Sequence, residues 1–133
     1  MKKIFLIATG GTIASREGKN GLTPELSLEQ LLQYVPQIRE LCRIRAVQPM
    51  NLDSTNMQPS DWLCLAKLIR NVYEKYDGFV ILHGTDTMAY TAAALSYLIQ
   101  NSRKPIVLTG AQKPIDQDIT DARSNVLQSV RYV

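Results

Sequence analysis

Apolar and polar positions alternate along this chain in blocks, and each short apolar run is closed by glycine, hydroxyl or acidic residues. The first run, Lys3 to Ala8, stops at Thr9-Gly10-Gly11 and has the continuous character of a strand buried on both faces. Ser27-Leu28-Glu29-Gln30 matches a capping box, and Leu28, Leu31, Leu32 and Val35 supply a helical stripe that ends near Pro36. Ile44 to Met50 reads as a second strand. Pro59 with Asp61 opens a helix in which Leu65, Leu68, Ile69, Val72 and Tyr76 recur at helical spacing, and Asp77-Gly78 ends it. Phe79 to Leu82 is a third buried strand, and Ala89 to Ile99 a third helix. Ile106 to Leu108, entered through Pro105, is a fourth strand, and a last helical stripe runs through Ala122, Val126, Val130 and Val133.

Strands that alternate with helices of this length imply parallel pairing and right-handed crossovers. The expected fold class is therefore α/β: a parallel-sheet, Rossmann-like three-layer domain with helices on both faces. No repeat, low-complexity tract or linker divides it. The final stripe stops at Arg131-Tyr132-Val133 without a Gly or Asn cap or a polar tail, which predicts that the native protein continues.

Composition narrows the function classes. At 133 residues and 14.9 kDa the chain is one domain's worth. A hydrophobic share of 45% and a charged share of 20% exclude disorder. The longest apolar run is far too short to span a bilayer as a helix. Fifteen Lys and Arg against 12 Asp and Glu leave +3, too small and too scattered an excess for a nucleic acid or an anionic membrane. Cys42 and Cys64 lack metal-ligand spacing and read as reduced thiols. The start, Met1-Lys2-Lys3 before an apolar run, is like a secretory signal, but the run is too short for one. The expected localisation is cytoplasmic.

The candidate chemistry collects where the strands end. Thr9-Gly10-Gly11-Thr12-Ile13-Ala14-Ser15 follows the first strand and Asn51-Leu52-Asp53-Ser54-Thr55-Asn56-Met57 the second. His83-Gly84-Thr85-Asp86-Thr87 follows the third, and Thr109-Gly110-Ala111-Gln112-Lys113 the fourth. In a parallel sheet all four leave the carboxyl edge, where open α/β folds bind ligands. Hydroxyls there offer a nucleophile that needs a base or a lowered pKa, and Asp53 and Asp86 can take an amine or organise that base. Other templates fail: no dinucleotide fingerprint, P-loop, Gly-x-Ser-x-Gly elbow or zinc constellation is present.

Each segment also has a plainer reading. Gly10-Gly11 can be a tight turn alone, Thr85 to Thr87 a helix cap, and Ser54-Thr55 a capping turn before Pro59. His83 reads as a packing or loop-orienting residue rather than a catalytic one. Cys42, Cys64 and Trp62 read as packing residues. Lys113 is either a solvated loop lysine or a steering charge beside the crevice.

Taken together, the segments resemble the bacterial L-asparaginase family. Thr9-Gly10-Gly11-Thr12-Ile13-Ala14 is similar to its first signature and Asp77 to Met88 to its second, with Asp53-Ser54-Thr55 between them as in the cytoplasmic, type I branch. The resemblance covers essentially the whole chain. It implies hydrolysis of L-asparagine to L-aspartate and ammonia, with L-glutamine a weaker substrate and no metal or organic cofactor. It makes Thr12 the nucleophile that carries the acyl intermediate, Thr85 the second catalytic threonine, and Asp86 the holder of the α-ammonium. Gly11, Asp53, Ser54 and Thr55, together with Thr85 and Asp86, line the substrate site, Ser54 and its neighbours holding the α-carboxylate.

Family members are more than twice this length. Residues 1–133 thus correspond to an N-terminal domain, truncated relative to a two-domain family, and weak or inactive alone. The family's catalytic lysine lies past Val133, and Lys113 does not occupy its motif. Where its mobile first loop carries a tyrosine, Asn20-Gly21-Leu22-Thr23-Pro24 has Leu22. The resemblance also implies a homodimer or homotetramer for the whole protein. Two alternatives stand beside it. One is an ammonia-generating subunit for transamidation of charged tRNA, which carries an extra domain where only Met1 to Ala8 precede Thr9. The other is a stand-alone aspartate- or asparagine-binding module without turnover.

Overall fold

The computed structural model describes the backbone of residues 1–18, 21–24 and 27–133, and the side chains of those outside 14–26 and 28. In chain order the elements are strand β1 (Lys2–Ala8), a hairpin of β2 (Ser15–Gly18) and β3 (Gly21–Pro24), and helices α1 (Leu28–Tyr34) and α2 (Ile38–Leu41). Then come β4 (Cys42–Val47), α3 (Pro59–Val72), β5 (Gly78–Leu82), α4 (Met88–Leu98), β6 (Ile106–Thr109) and α5 (Ala122–Tyr132).

Strands β1 and β5 are the most apolar and take the centre of a four-stranded sheet of order β4-β1-β5-β6. All its pairings are parallel. Alternation along each strand sends successive side chains to opposite faces. Ile4, Leu6, Val80 and Leu82 meet Leu31, Val35, Ile38, Val126 and Val130 from α1, α2 and α5. Phe5, Ile7, Phe79 and Ile81 meet Leu65, Ile69 and Leu95 from α3 and α4. The result is the expected three-layer α/β domain with helices on both faces.

The local signals explain most element ends. Ser27 caps α1 reciprocally: Gln30 N–H donates to Ser27 Oγ at 3.2 Å and Ser27 N–H to Gln30 Oε1 at 3.0 Å. Asp61 closes the start of α3 by accepting from the Gln58 N–H at 2.8 Å. Four expectations need correction. The second strand of the sheet runs over Cys42–Val47 rather than Ile44–Met50, because its register is fixed by pairing with β1 from Lys2↔Cys42 to Ile7↔Val47. Helix α3 stops at Val72 and a tight 3₁₀ turn, Tyr73–Lys75, follows. Tyr76 therefore packs from outside the helix, its ring 4.8 Å from that of Phe5. Cys64 is exposed on α3 rather than packed. The hairpin and α2 are additional elements. In the first-loop comparison, Asn20 and the side chain of Leu22 lie outside the described residues.

Register also levels the functional edge. Ala8 pairs with Leu82, Leu82 with Thr109, and Ile7 with Val47, so the four strands end almost in a row. The chain leaves β1 across one face through α1 and α2 and leaves β5 across the other through α4. This reversal between neighbouring strands opens a crevice at their carboxyl ends.

Candidate active site at the carboxyl edge

Backbone contacts draw the four loops together before any side chain is considered. Thr9 N–H and Thr9 Oγ1 both donate to Leu82 O at 3.0 Å, tying the first loop to the third. Leu52 N–H donates to Thr9 O at 2.8 Å, adding the second loop, and His83 N–H donates to Thr109 O at 2.9 Å, adding the fourth. Two glycines make the approach feasible. Gly10 and Gly11 have φ of +111° and +81°, a region that side chains disfavour. A Cβ on Gly10 would lie 2.5 Å from Leu52 O, and one on Gly11 would lie 2.6 Å from Gly84 Cα.

Between the loops lies a cleft of about 330 Å³. Of the residues singled out from the sequence, Gly11, Thr12, Asp53, Ser54, Thr85 and Asp86 line it. Thr12 opens a short 3₁₀ turn, Thr12–Ala14, that is pinned beneath by fully buried Ile13. Ser54 is buried, whereas Asp53 and Asp86 are exposed. Among the described residues the hydroxyls of Thr12 and Thr85 and the carboxylate of Asp86 have no hydrogen-bond partner, and all three line the cleft. Thr55 is not in the lining. Its N–H and hydroxyl donate to Asp53 Oδ1 at 3.0 and 2.8 Å, and the N–H bond first, then the hydroxyl, holds the Asp53 carboxyl below the usual carboxylate range.

The capping reading of Thr85 to Thr87 is corrected at Thr87. That residue sits at the start of α4 without a side-chain cap, and its hydroxyl instead donates to Ser54 O at 2.7 Å, bridging two loops. Lys113 is exposed and stays outside the lining. Its N–H and that of Gln112 donate to the Asp121 carboxylate, which pins the fourth loop. These bonds, Gln112's foremost, lower the Asp121 pKa.

Asn51, Leu52, Gly84 and Gln112 complete the lining. The sequence marks their loops but not these residues, since facing the cleft depends on how the loops fold over one another. His83 is fully buried beneath the cleft. Its Nδ1 lies 2.7 Å from Gly84 O and its Nε2 2.8 Å from Thr91 Oγ1, which also accepts from Trp62 Nε1 at 2.9 Å. Burial lowers the His83 pKa, against a smaller opposing effect of the Gly84 bond. Half-buried Trp62 is thus a donor as well as a packing residue. Among the described residues no cluster of three or more His, Cys, Asp or Glu could hold a metal ion, and no helix is long and apolar enough to cross a membrane.

A levelled parallel edge, a switch-point cleft and convergent hydroxyls mark the crevice where open α/β folds bind ligands. Comparison with known proteins gives the family: the model of the asparaginase N-terminal domain matches residues 3–133. The chain belongs to the asparaginase family. It is 40% identical over 131 residues to an L-asparaginase of Thermococcus kodakarensis, covering 98% of this chain and 40% of that protein. The solved structure of the thermostable L-asparaginase from that organism superposes with a TM-score of 0.89 at 40% identity, again over 98% of this chain and 40% of that one. A structure described as "Probable Cytoplasmic L-asparaginase from Campylobacter jejuni" gives 0.85 at 40% identity, over 98% of this chain and 39% of that one. The chain is also 40% identical over 131 residues to a glutamyl-tRNA(Gln) amidotransferase subunit of Metallosphaera sedula, covering 96% of this chain and 30% of that protein. It therefore spans about 40% of the length of the asparaginases it matches.

Proposed function

We propose that residues 1–133 form the N-terminal, site-bearing domain of a cytoplasmic enzyme that hydrolyses L-asparagine to L-aspartate and ammonia. The observation that carries the proposal is the joint presence of Thr12, Ser54, Thr85 and Asp86 around one cleft, with the two threonine hydroxyls uncommitted. Asp86 presents a carboxylate to the substrate's α-ammonium, and Ser54 offers a hydroxyl to its α-carboxylate. With both groups on the α-carbon held, the substrate's side-chain amide carbon faces Thr12.

Thr12 Oγ1 attacks that carbon and loses its proton to a base. Collapse of the tetrahedral adduct breaks the C–N bond, and ammonia leaves with a proton gained in the step. Water, directed by Thr85, then adds to the ester carbonyl carbon and the C–O bond to Thr12 Oγ1 breaks, releasing L-aspartate and returning a proton to the Thr12 hydroxyl. By the family resemblance the lysine that serves Thr85 lies past Val133, outside these residues. The chain alone is then weakly active or inactive, and the whole protein is a homodimer or homotetramer. The Campylobacter jejuni relative supports the cytoplasmic assignment.

The test compares ammonia release from L-asparagine by a two-domain form of the protein and by its Thr12→Ala variant. Loss of nucleophilic catalysis predicts a fall of about a thousandfold or more, whereas equal rates would sink the Thr12 assignment. The Metallosphaera sedula relative favours a second reading, an ammonia-generating amidotransferase component. That reading predicts release that depends on a partner and charged tRNA. Ligand binding without ammonia under either condition would leave an amino-acid-binding module.

A further inference from the structure

The bonds beneath the cleft have only one possible direction. A carbonyl oxygen only accepts and an indole N–H only donates. Gly84 O at one end therefore requires the proton of His83 on Nδ1, at 2.7 Å. Trp62 Nε1 at the other end must donate to Thr91 Oγ1, at 2.9 Å. His83 has no exposed surface, which favours a neutral ring, so its Nε2 has only a lone pair to offer. Thr91 Oγ1, 2.8 Å away, must give its single proton to that lone pair. The polarity runs from Trp62 through Thr91 and His83 to the Gly84 carbonyl, and each donor is used once.

Gly84 is pressed by two other loops. A Cβ there would lie 2.7 Å from Ser54 Cβ and Oγ, and Gly11 leaves no room above it for a side chain of its own. Its carbonyl belongs to the same planar, trans peptide as the Thr85 N–H. Drawing the oxygen down toward His83 turns that N–H the opposite way and fixes where the Thr85 side chain starts.

We propose that Trp62, Thr91 and His83 are positioning residues: a one-way hydrogen-bond relay from helices α3 and α4 that sets the Gly84–Thr85 peptide and thereby the Thr85 hydroxyl in the cleft. The functional half of this inference rests on the proposed role of Thr85. None of the three relay residues lines the cleft, so they act through Thr85.

The test uses the ¹⁵N-labelled 133-residue chain and reads the His83 ring nitrogens by NMR at neutral pH. The relay requires a proton on Nδ1 and none on Nε2; the opposite tautomer, or a doubly protonated ring, overturns it. Variants then separate positioning from bulk. Thr91→Ser keeps the hydroxyl and every link. His83→Gln and Thr91→Val keep similar volume but lose one link each. The relay predicts that the Thr85 amide resonance stays near wild type in Thr91→Ser and moves in His83→Gln and Thr91→Val. L-aspartate should bind these last two about tenfold more weakly, the cost of one hydrogen bond. A Thr85 amide unmoved in folded His83→Gln and Thr91→Val overturns the proposal. If those variants do not fold, Trp62→Phe, made at a half-buried site, supplies the same comparison, again with a moved or unmoved Thr85 amide. A wild-type chain whose cleft amides ignore L-aspartate counts against ligand binding by this chain. The tautomer and the Thr85 shift would still decide the relay.

Discussion

The two ends of the central strands are built in different ways. At the amino end, polar groups are consumed by one another. Asp77 N–H donates to Lys3 O at 2.7 Å, Lys3 N–H returns a bond to Asp77 Oδ2 at 2.7 Å, and Lys2 Nζ reaches Val133 O at 2.6 Å. Lys104 lies over the Tyr73 ring at 4.6 Å and donates to Tyr73 O at 2.6 Å. At the carboxyl end, the loops are held mainly by backbone, by the buried Thr9 hydroxyl and by Thr87. The Thr12 and Thr85 hydroxyls are left uncommitted among the described residues. The lesson is that glycines and backbone bonds can assemble a cleft while leaving the hydroxyls on its wall available. Stability and the proposed chemistry then fall on different atoms of the same loops.

This contrast can be broken by substitution, and the largest effect is expected in the buried core. Phe79 is fully buried, and Phe79→Ala should cost about 4 kcal/mol through the lost contacts and the cavity. Gly11→Ala comes next, at about 3 kcal/mol, because a Cβ at φ +81° would press on the Gly84 backbone. Urea denaturation measures both. A Gly11→Ala chain as stable as wild type would mean that the loops do not meet as closely as described. Thr9→Val removes a buried hydroxyl that shares Leu82 O with the Thr9 N–H, and should cost about 1 kcal/mol.

Much of this architecture is legible in the residues because burial on both faces writes itself as an unbroken apolar run. Ile4 to Ala8 and Phe79 to Leu82 could be read directly. The edge strand β4 could not be placed as well, since Arg43 and Arg45 alternate with apolar neighbours and its register comes from β1. Helix α2 is four residues long with one buried anchor, Ile38, and has no side-chain cap to announce it. Strand β2 carries Ser15, Arg16, Glu17 and Gly18, with no apolar alternation to mark its pairing with β3. The site loops were visible because a parallel sheet gathers its strand ends. The commitment of Thr87 to Ser54 O and of Trp62 to Thr91 was not, because both join segments about 30 residues apart. Such partners are decided by tertiary distance, not by local spacing.

A smaller effect should come from pH. Asp121 is exposed and its pKa is lowered chiefly by the Gln112 N–H. A depressed carboxylate binds fewer protons folded than unfolded, so its contribution is complete above its ordinary value near 3.8 and is lost as pH falls through the lower folded value. His83 acts in the same direction in a higher window. Its lowered pKa means that stability is complete above the ordinary value of 6.5 and declines as pH falls below it, down to the folded value. Denaturation midpoints measured from pH 8 to pH 3 should therefore fall in two steps, and His83→Asn should remove the upper one.

The smallest expected effect bears most directly on the central claim. The double variant Thr12→Ala, Thr85→Ala removes both cleft hydroxyls, neither of which has a hydrogen-bond partner among the described residues. Its unfolding free energy in urea should stay within about 0.5 kcal/mol of wild type. A loss of about 2 kcal/mol or more would show the hydroxyls to be structural and would contradict the separation of stability from chemistry at this edge.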